Sequence, residues 1–291
     1  EVEESGSKIV YGSKDYDRIN PLHNEYGEID QLLFDGLVRR DGTGAIVPGL
    51  AESWEYDPAD DTYIFHLREG VLWHDGQPLR AADVKFTIEA VRSPLIASVH
   101  ASNFEDVSEI TELDDRTVRI RLMQPNAAFL DYMLQPILPA HILAEQDLAS
   151  ASFFHSPVGT GPYRMESWEA GDRIVLVKNE DYYRGAPKID RFVFKIIEDD
   201  LAEAEALTDG TIDIAHLSPK SAKAFAGSTA YRYYAMKTTD YRAILFNFAN
   251  PYWMRNRDLI PAIAYAIDRQ AIVDEVLHGH GMPAYGPLQR N

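Results

Sequence analysis

The chain has 291 residues, of which 45% are hydrophobic and 25% are charged. These values are ordinary for a globular protein, so they exclude fibrous and wholly disordered classes, and the length predicts two domains. The 28 basic and 46 acidic residues give a net charge of −18. A chain this acidic is repelled by phosphate backbones, so no nucleic-acid partner is expected. The sequence contains no cysteine, which excludes disulfide frameworks, thiolate metal sites and cysteine nucleophiles.

Hydrophobic periodicity in the first half of the chain predicts short strands and a few helices. The helix candidates are Glu28–Val38, Ala81–Arg92 and Asn126–Leu134. The strand candidates, in chain order, are Lys8–Tyr11, Thr62–Leu67, Val107–Leu113 and Thr117–Met123. The last two strands flank a polar turn and predict a hairpin with one face in water.

The second half of the chain changes character after another predicted hairpin, Pro162–Trp168 with Arg173–Lys178. Its second strand contains four consecutive apolar residues, which predicts burial on both faces. From Arg191 onward strands and helices alternate, as in α/β proteins. The later candidates are strands near Arg232–Ala235 and Ala243–Phe248 and a long helix over Asp258–Leu277. No run of about 18 apolar residues occurs, so no membrane span is expected.

The sequence contains no recognisable catalytic arrangement. Its nine histidines are scattered, and neither a zinc-protease HEXXH motif nor a serine-hydrolase Gly-x-Ser-x-Gly motif occurs. A secreted hydrolase remains an alternative, but the absence of a nucleophile motif argues against it. We therefore expect a binding protein that is not an enzyme and that has no cofactor, catalytic residues or metal ligands.

Several motifs follow one another along most of the chain in a fixed order. They are Leu50–Trp54 (LAESW), Phe65–Val71 (FHLREGV), Trp73–Gly76 (WHDG), Ala82–Phe86 (ADVKF), Gly159–Tyr163 (GTGPY), Asn179–Tyr183 (NEDYY) and Ala264–Arg269 (AYAIDR). With these motifs the chain resembles the family 5 extracytoplasmic solute-binding proteins. That family includes the dipeptide, oligopeptide and nickel-chelate receptors of ABC importers.

The resemblance implies an α/β, periplasmic-binding-protein-like fold of two lobes (type II-like), with an extra hairpin-rich α+β domain. Lobe I would comprise residues 1–47 and 159–250, the extra domain residues 48–158, and the start of lobe II residues 251–291. Family members continue beyond the position that matches Asn291, so most of the C-terminal lobe is expected to be absent from this chain. We also expect the extra domain to have an apolar core separate from that of lobe I.

The resemblance also implies where a ligand would bind. The candidate ligand-binding residues lie in three groups: His23, Asn24, Glu25 and Tyr26; Ser102, Asn103 and Phe104; Tyr241 and Arg242. The expected function is an extracytoplasmic receptor, in the periplasm or on the outer face of the cell membrane. It would bind a peptide or small zwitterionic ligand between the lobes and deliver it to the membrane permease subunits of an ABC transporter. Membrane attachment would occur only through a lipid anchor outside this chain.

A nickel or metal-chelate receptor of the same family is the alternative. In chelate receptors the resemblance places a ligand-binding arginine before the proline-rich stretch. The corresponding segment here, Leu134–Leu138, contains no arginine, which disfavours that mode. Because histidine is a common metal ligand, the presence of His23 leaves a metal-containing ligand as an open alternative.

Overall fold

The computed structural model describes residues 6–23, 27–236, 242–284 and 286. Within them the strands are β1 (Lys8–Ser13), β2 (Val38–Arg40), β3 (Ile46–Pro48), β4 (Ala51–Asp57), β5 (Thr62–Leu67), β6 (Val107–Asp114), β7 (Thr117–Leu122), β8 (Tyr163–Glu169), β9 (Arg173–Lys178) and β10 (Arg191–Ile196). The α-helices are α1 (Glu28–Leu33), α2 (Ala81–Arg92), α3 (Phe129–Tyr132), α4 (Ala140–Leu143), α5 (Asp200–Asp209), α6 (Pro219–Ala222), α7 (Pro251–Arg255), α8 (Leu259–Ala266) and α9 (Arg269–Ala271). Short 3-10 helices form at Ala101–Phe104 and Ser152–His155, and a π-helical turn forms at Ile272–Val276.

The first four-stranded sheet has the order β1-β10-β9-β8. Its first pair, β1 and β10, is parallel, and the other pairs are antiparallel. Since β9 lies inside this sheet, its successive residues Ile174, Val175 and Leu176 are all buried, although neighbouring side chains point to opposite faces. The predicted burial of this strand on both faces is confirmed.

The second four-stranded sheet has the order β4-β5-β7-β6 and is antiparallel throughout. The predicted hairpin is confirmed as β6 and β7, and helix α2 has the predicted bounds. The helix packs on this sheet through the buried residues Val84, Ile88 and Val91. Strong local signals determined both elements: alternation around a polar turn, and three apolar residues at helical spacing.

One cluster of buried apolar side chains serves both sheets. It contains Phe65 and Trp73 from the hairpin-rich region as well as Ile174, Leu176 and Phe194 from the first sheet. The expectation of a separate core for the hairpin-rich region is therefore wrong. The domain boundaries at 47/48, 158/159 and 250/251 stay predictions.

The two regions share a core because they are hydrogen-bonded to each other: His74 of the hairpin-rich region bonds to Gly159 and Gly161. The same glycines pass very close to the end of α1. A Cβ placed on Gly159 would lie 1.7 Å from the carbonyl oxygen of Leu33, at the end of α1, and one on Gly161 would lie 2.5 Å from that of Leu32. Only glycine permits such an approach. The same helix is shorter than predicted, because at Phe34 the backbone becomes extended before the chain enters β2.

The chain divides into two compact units by contacts, Glu1–Glu198 with Gly210–Ile214, and Asp199–Asp209 with Ala215–Asn291. In the second unit the predicted strands near 232–235 and 243–248 are absent from the described residues. Ile244 and Leu245 are instead 61% and 91% exposed, and an apolar segment without a hydrogen-bonding partner strand does not form a sheet.

The long helix predicted over 258–277 is interrupted. Ile267 is extended after α8, and the carboxylate of Asp268 accepts a hydrogen bond of 2.9 Å from the backbone N–H of Ala271. Asp268 thus caps the start of α9, and an N-cap residue has non-helical backbone angles. Among the described residues, no helix is long and apolar enough to cross a membrane.

Candidate functional site

The three groups of predicted ligand residues are placed differently by the structure. Asn24, Glu25, Tyr26 and Tyr241 lie outside the described residues. Arg242 is exposed on irregular backbone of the second unit. The remaining candidates, His23 and residues 102–104, belong to the first unit, where they lie on two loops that hydrogen bonds join.

The first of these loops is a tight turn at residues 20–23 that begins with a buried asparagine. Asn20 is 2% exposed, and its Oδ1 accepts the backbone N–H of Leu22 at 3.0 Å. Its Nδ2 lies 3.0 Å from Nδ1 of His23. The other ring nitrogen of His23, Nε2, lies 2.8 Å from the carbonyl oxygen of Ile96. The His23 ring therefore connects the turn to a segment 73 residues further along the chain.

Two more hydrogen bonds hold the turn against the rest of the first unit. The buried hydroxyl of Ser98 donates to the carbonyl of Leu22, and the amide of Gln135 donates to the carbonyl of Pro21 at 3.0 Å. Ser98 Oγ also accepts the backbone N–H of His100 at 3.2 Å. Residues 20–23 and 96–104 thus form one hydrogen-bonded structure, which we call the loop pair.

The loop pair ends in the 3-10 helix that carries the second predicted group. Phe104 is fully buried, and its ring centroid lies 6.3 Å from that of Tyr132, so this ring anchors the segment in the core. Ser102 is exposed and Asn103 is half-buried. These two residues are therefore the members of the group whose polar side chains a ligand can reach.

An open groove adjoins the loop pair. It has a volume of about 390 Å³ and lies between α2, the loop after it and the segment around α4. Its lining contains the apolar side chains of Phe86, Leu95, Ile96, Leu143 and Leu148 and the carboxylates of Glu89 and Asp147. Leu95 is 88% exposed. This surface can accept an apolar group beside Ile96, the residue of the loop pair that lies in its lining.

Sequence reasoning missed a second hydrogen-bonded histidine, His74. Its Nδ1 accepts the backbone N–H of Gly159 at 3.0 Å, its Nε2 lies 3.1 Å from the carbonyl oxygen of Gly161, and its own N–H donates to the Gly159 carbonyl at 2.9 Å. Burial lowers the pKa of His74 to about 4, against the opposing effects of the Gly161 hydrogen bond and Asp75. The sequence places His74 in the Trp73–Gly76 motif but gives no sign of these hydrogen bonds, because its partners lie more than 80 residues away.

A buried carboxylate supports the turn that contains His74. Asp83, in the first turn of α2, accepts the indole N–H of Trp73 at 3.3 Å, the N–H of Arg80 at 2.9 Å and the N–H of Ala140 at 2.8 Å. Burial raises the pKa of Asp83 even though all three hydrogen bonds lower it. These contacts fix the position of Trp73 and its neighbour His74 in the shared core.

A second perturbed carboxylate lies after α1. Burial raises the pKa of Asp35 to about 6, although a hydrogen bond from the hydroxyl of Tyr182, at 3.4 Å, lowers it. The nearby guanidinium groups of Arg184 and Arg39 also lower it. The backbone carbonyl of Asp35 accepts the N–H of Ile137 at 3.0 Å, two residues after Gln135, whose side chain donates to the turn.

The part of the chain that the structure describes contains no group of three or more His, Asp or Glu side chains that could hold a metal ion. His23 itself offers no free lone pair, because a carbonyl oxygen only accepts and the ring must donate to Ile96 through Nε2. Its Nδ1 then accepts from the amide of Asn20. The loop pair can bind a ligand by neutral hydrogen bonds and apolar contact.

Comparison with known proteins identifies relatives of the whole chain. The sequence model of the bacterial extracellular solute-binding proteins, family 5 Middle, matches residues 45–291. Protein XP55 of Streptomyces lividans is 34% identical over 287 residues, which cover 98% of this chain and 53% of that protein. The chain thus spans about half the length of this curated relative.

Two solved structures are similar in fold as well. NikZ from Campylobacter jejuni, in complex with Ni(L-His), has a TM-score of 0.90 and 34% identity, covering 97% of this chain and 57% of that one. The oligopeptide-binding protein AppA from Bacillus subtilis, in complex with a nonapeptide, has a TM-score of 0.83 and 26% identity, covering 96% of this chain and 57% of that one. The expected α/β fold class, with open sheets, is confirmed.

Proposed function

The chain belongs to the bacterial extracellular solute-binding proteins of family 5, and from this premise we propose that it binds a peptide outside the cytoplasm for delivery to an ABC import permease. Members of this family are receptors, so the proposed activity is reversible binding without chemical change. The expected lipid anchor and permease contacts belong to the same proposal.

The observation that carries the proposal is the loop pair. Two segments of the first unit that are expected to contact a ligand are hydrogen-bonded directly to each other. The described loop pair, residues 20–23 and 96–104, contains no Asp, Glu, Lys or Arg. Neutral donors and acceptors such as Ser102 and Asn103 suit the peptide main chain, whose amide groups occur in every sequence. The adjoining groove then accepts an apolar side chain of the peptide.

A second candidate is a nickel chelate of a small amino acid. The similarity to NikZ in both sequence and fold favours it. Since both nitrogens of His23 are hydrogen-bonded, the protein would hold such a ligand through its organic part and not through a bond from His23 to the metal.

Isothermal titration calorimetry with two probes, tetra-L-alanine and nickel(II) bis(L-histidine), tests and separates these functions. Under the peptide proposal tetra-L-alanine binds, and Asn103→Ala weakens its binding by about tenfold, the effect of one hydrogen bond of about 1.4 kcal/mol. Ser108→Ala is the matched control, because Ser108 is an exposed residue of β6 outside the loop pair. Binding of the nickel chelate alone would favour the second candidate.

Mass spectrometry of the same samples distinguishes a receptor from the hydrolase alternative. A receptor leaves tetra-L-alanine intact after prolonged incubation, whereas a hydrolase releases alanine or shorter peptides. Recovery of cleaved peptide that depends on this protein would refute the binding-only proposal. If neither probe binds and neither is altered, a family 5 receptor for these ligand classes is also refuted for this chain.

A further inference from the structure

We propose that His23 is a positioning residue, a neutral clamp that holds the two halves of the loop pair in register, and not a residue that contacts the ligand or a metal. The clamp itself follows from contacts within the first unit. Its effect on ligand affinity rests on the function proposed above. The two parts can be tested separately.

The hydrogen-bond chemistry determines the protonation of the ring. The carbonyl oxygen of Ile96 can only accept, so the hydrogen must be on Nε2 of His23. Asn20 already uses Oδ1 to accept from Leu22, so its NH₂ group faces Nδ1 of His23 at 3.0 Å. Nδ1 must therefore carry a lone pair. The ring is neutral, and both of its nitrogens are engaged inside the protein.

The segment that receives this contact has a strained backbone. Ala97 has a φ of 51°, in the left-handed region that is unfavourable for a residue with a side chain. Its two neighbours are the residues that bond to the turn: Ile96 accepts from His23, and Ser98 donates to Leu22. A strained residue persists where its surroundings over-determine it. The two cross-loop bonds supply that restraint on either side of Ala97.

A continuous series of hydrogen bonds leads from this restraint to the ligand-accessible side chains. The N–H of Ala101 donates to the carbonyl of Ser98 at 3.2 Å, and the N–H of Asn103 donates to the carbonyl of His100 at 3.0 Å. Ser98 also receives the N–H of His100. A shift of residues 96–98 away from the turn therefore moves Asn103 as well, and the distance between the two ligand-binding loops depends on His23.

The test compares His23→Ala with His23→Gln. Alanine removes both contacts, whereas the amide nitrogen of glutamine can still donate to Ile96 in the place of Nε2. For whichever of tetra-L-alanine and nickel(II) bis(L-histidine) the wild-type chain binds, we expect His23→Ala to weaken binding about tenfold, the effect of one lost hydrogen bond. His23→Gln should stay within about threefold of the wild type. His66→Ala is the control, because His66 pairs only with Glu55 at the surface of β5 among the contacts described for its side chain, and it should bind like the wild type.

A ligand-free measurement tests the clamp directly. In histidine labelled with ¹⁵N, the His23 ring should show the neutral form with hydrogen on Nε2, and its signals should not shift when nickel(II) chloride is added. A protonated ring, the opposite tautomer or a nickel-dependent shift at His23 would overturn the clamp. This readout also decides the matter if His23→Ala fails to fold.

The binding data can overturn the positioning role in two further ways. Unchanged affinity in His23→Ala would show that the clamp does not govern the ligand site. Equal loss in His23→Ala and His23→Gln would show that the ring touches the ligand itself. If the wild-type chain binds neither probe, the proposed function fails, while the ring measurement still confirms or refutes the clamp.

Discussion

Acidification should lower the free energy of unfolding of the first unit because His74 becomes protonated. Replacing His74 by glutamine should remove this effect. The neutral ring accepts from Gly159 and donates to Gly161, so it fastens the turn after Val71 to the crossover between the two sheets. Protonation would place an N–H on Nδ1, directly against the N–H of Gly159. Glutamine has a donor and an acceptor but does not titrate in this range.

The magnitude follows from the two pKa values of His74. Its ordinary pKa is 6.5, and in the folded chain burial lowers it to about 4. The folded state therefore binds the proton less readily than the unfolded state, and stability falls as pH drops from about 6.5 to about 4. The full difference corresponds to about 3 kcal/mol. Because the side chain is only partly shielded from water, we expect about 2 kcal/mol between pH 7 and pH 4.5.

Urea unfolding at pH 7 and pH 4.5 measures this difference. Tryptophan fluorescence is a suitable signal, since three of the four indoles lie in the first unit. On acidification the free energy of unfolding of the wild type should fall by about 2 kcal/mol more than that of His74→Gln. The control variant His66→Gln should behave like the wild type. Asp35, whose pKa is raised to about 6, changes the stability with pH in the opposite direction. Its effect cancels in this comparison because it is the same in the wild type and in His74→Gln. Equal acid losses in wild type and His74→Gln would refute the assignment of the neutral, buried ring.

Three further changes test the framework around the site by the same unfolding assay. Gly159→Ala should destabilise by at least about 3 kcal/mol or prevent folding, because its Cβ would overlap the carbonyl of Leu33; Gly42→Ala, with open space around it, should be tolerated. Trp73→Ala should cost about 3–5 kcal/mol, since the ring is 2% exposed, and an unchanged midpoint would show that this ring is not part of the shared core. Asp35 has a folded pKa of about 6, above its ordinary 3.8, so its contribution to stability is lost as pH rises from about 4 to about 6. Asp35→Asn should abolish that loss, and persistence of the same slope in the variant would contradict the assignment.

Local sequence patterns correctly predicted the helices and strands that depend on residues close to one another in the sequence. The bounds of α2 follow from apolar spacing and the Ser93-Pro94 stop, and the β6–β7 hairpin follows from alternation around a polar turn. The same reasoning was wrong for the shared core, because the hydrogen bonds that join the two regions run from His74 to Gly159 and Gly161. A contact over so long a sequence separation leaves no periodic signal.

The errors in the second unit have a related cause. Residues 243–248 have the composition of a strand, but a strand needs a hydrogen-bonding partner, and none forms among the described residues. The helix over 258–277 has the right apolar spacing, yet the capping side chain of Asp268 starts a new helix inside it. Composition and periodicity could show neither that the strand candidate lacks a pairing partner nor that Asp268 caps a new helix.

For the candidate site, the sequence predicted the loops but not the chemistry of their contacts. Resemblance to the family selected His23 and residues 102–104, and the structure joins the two loops through Ile96 and Ser98. The interpretation of His23 as a possible metal ligand depended on residue type alone. Its actual bonding depends on Asn20 and on a carbonyl 73 residues away, which only a folded chain brings within reach.

The charge of the chain and the neutrality of the loop pair fit together in physical terms. A net charge of −18 maintains solubility through its surface distribution, yet a fixed carboxylate beside a ligand would favour cations over other solutes. Residues 20–23 and 96–104 contain no ionisable side chain other than His23 and His100. With His23 neutral, as proposed above, the described loop pair contributes no carboxylate to the ligand site, whereas the adjoining groove has Glu89 and Asp147 in its lining. Selection by hydrogen-bond geometry and apolar fit would suit the proposed peptide receptor, which would accept peptides of differing sequence.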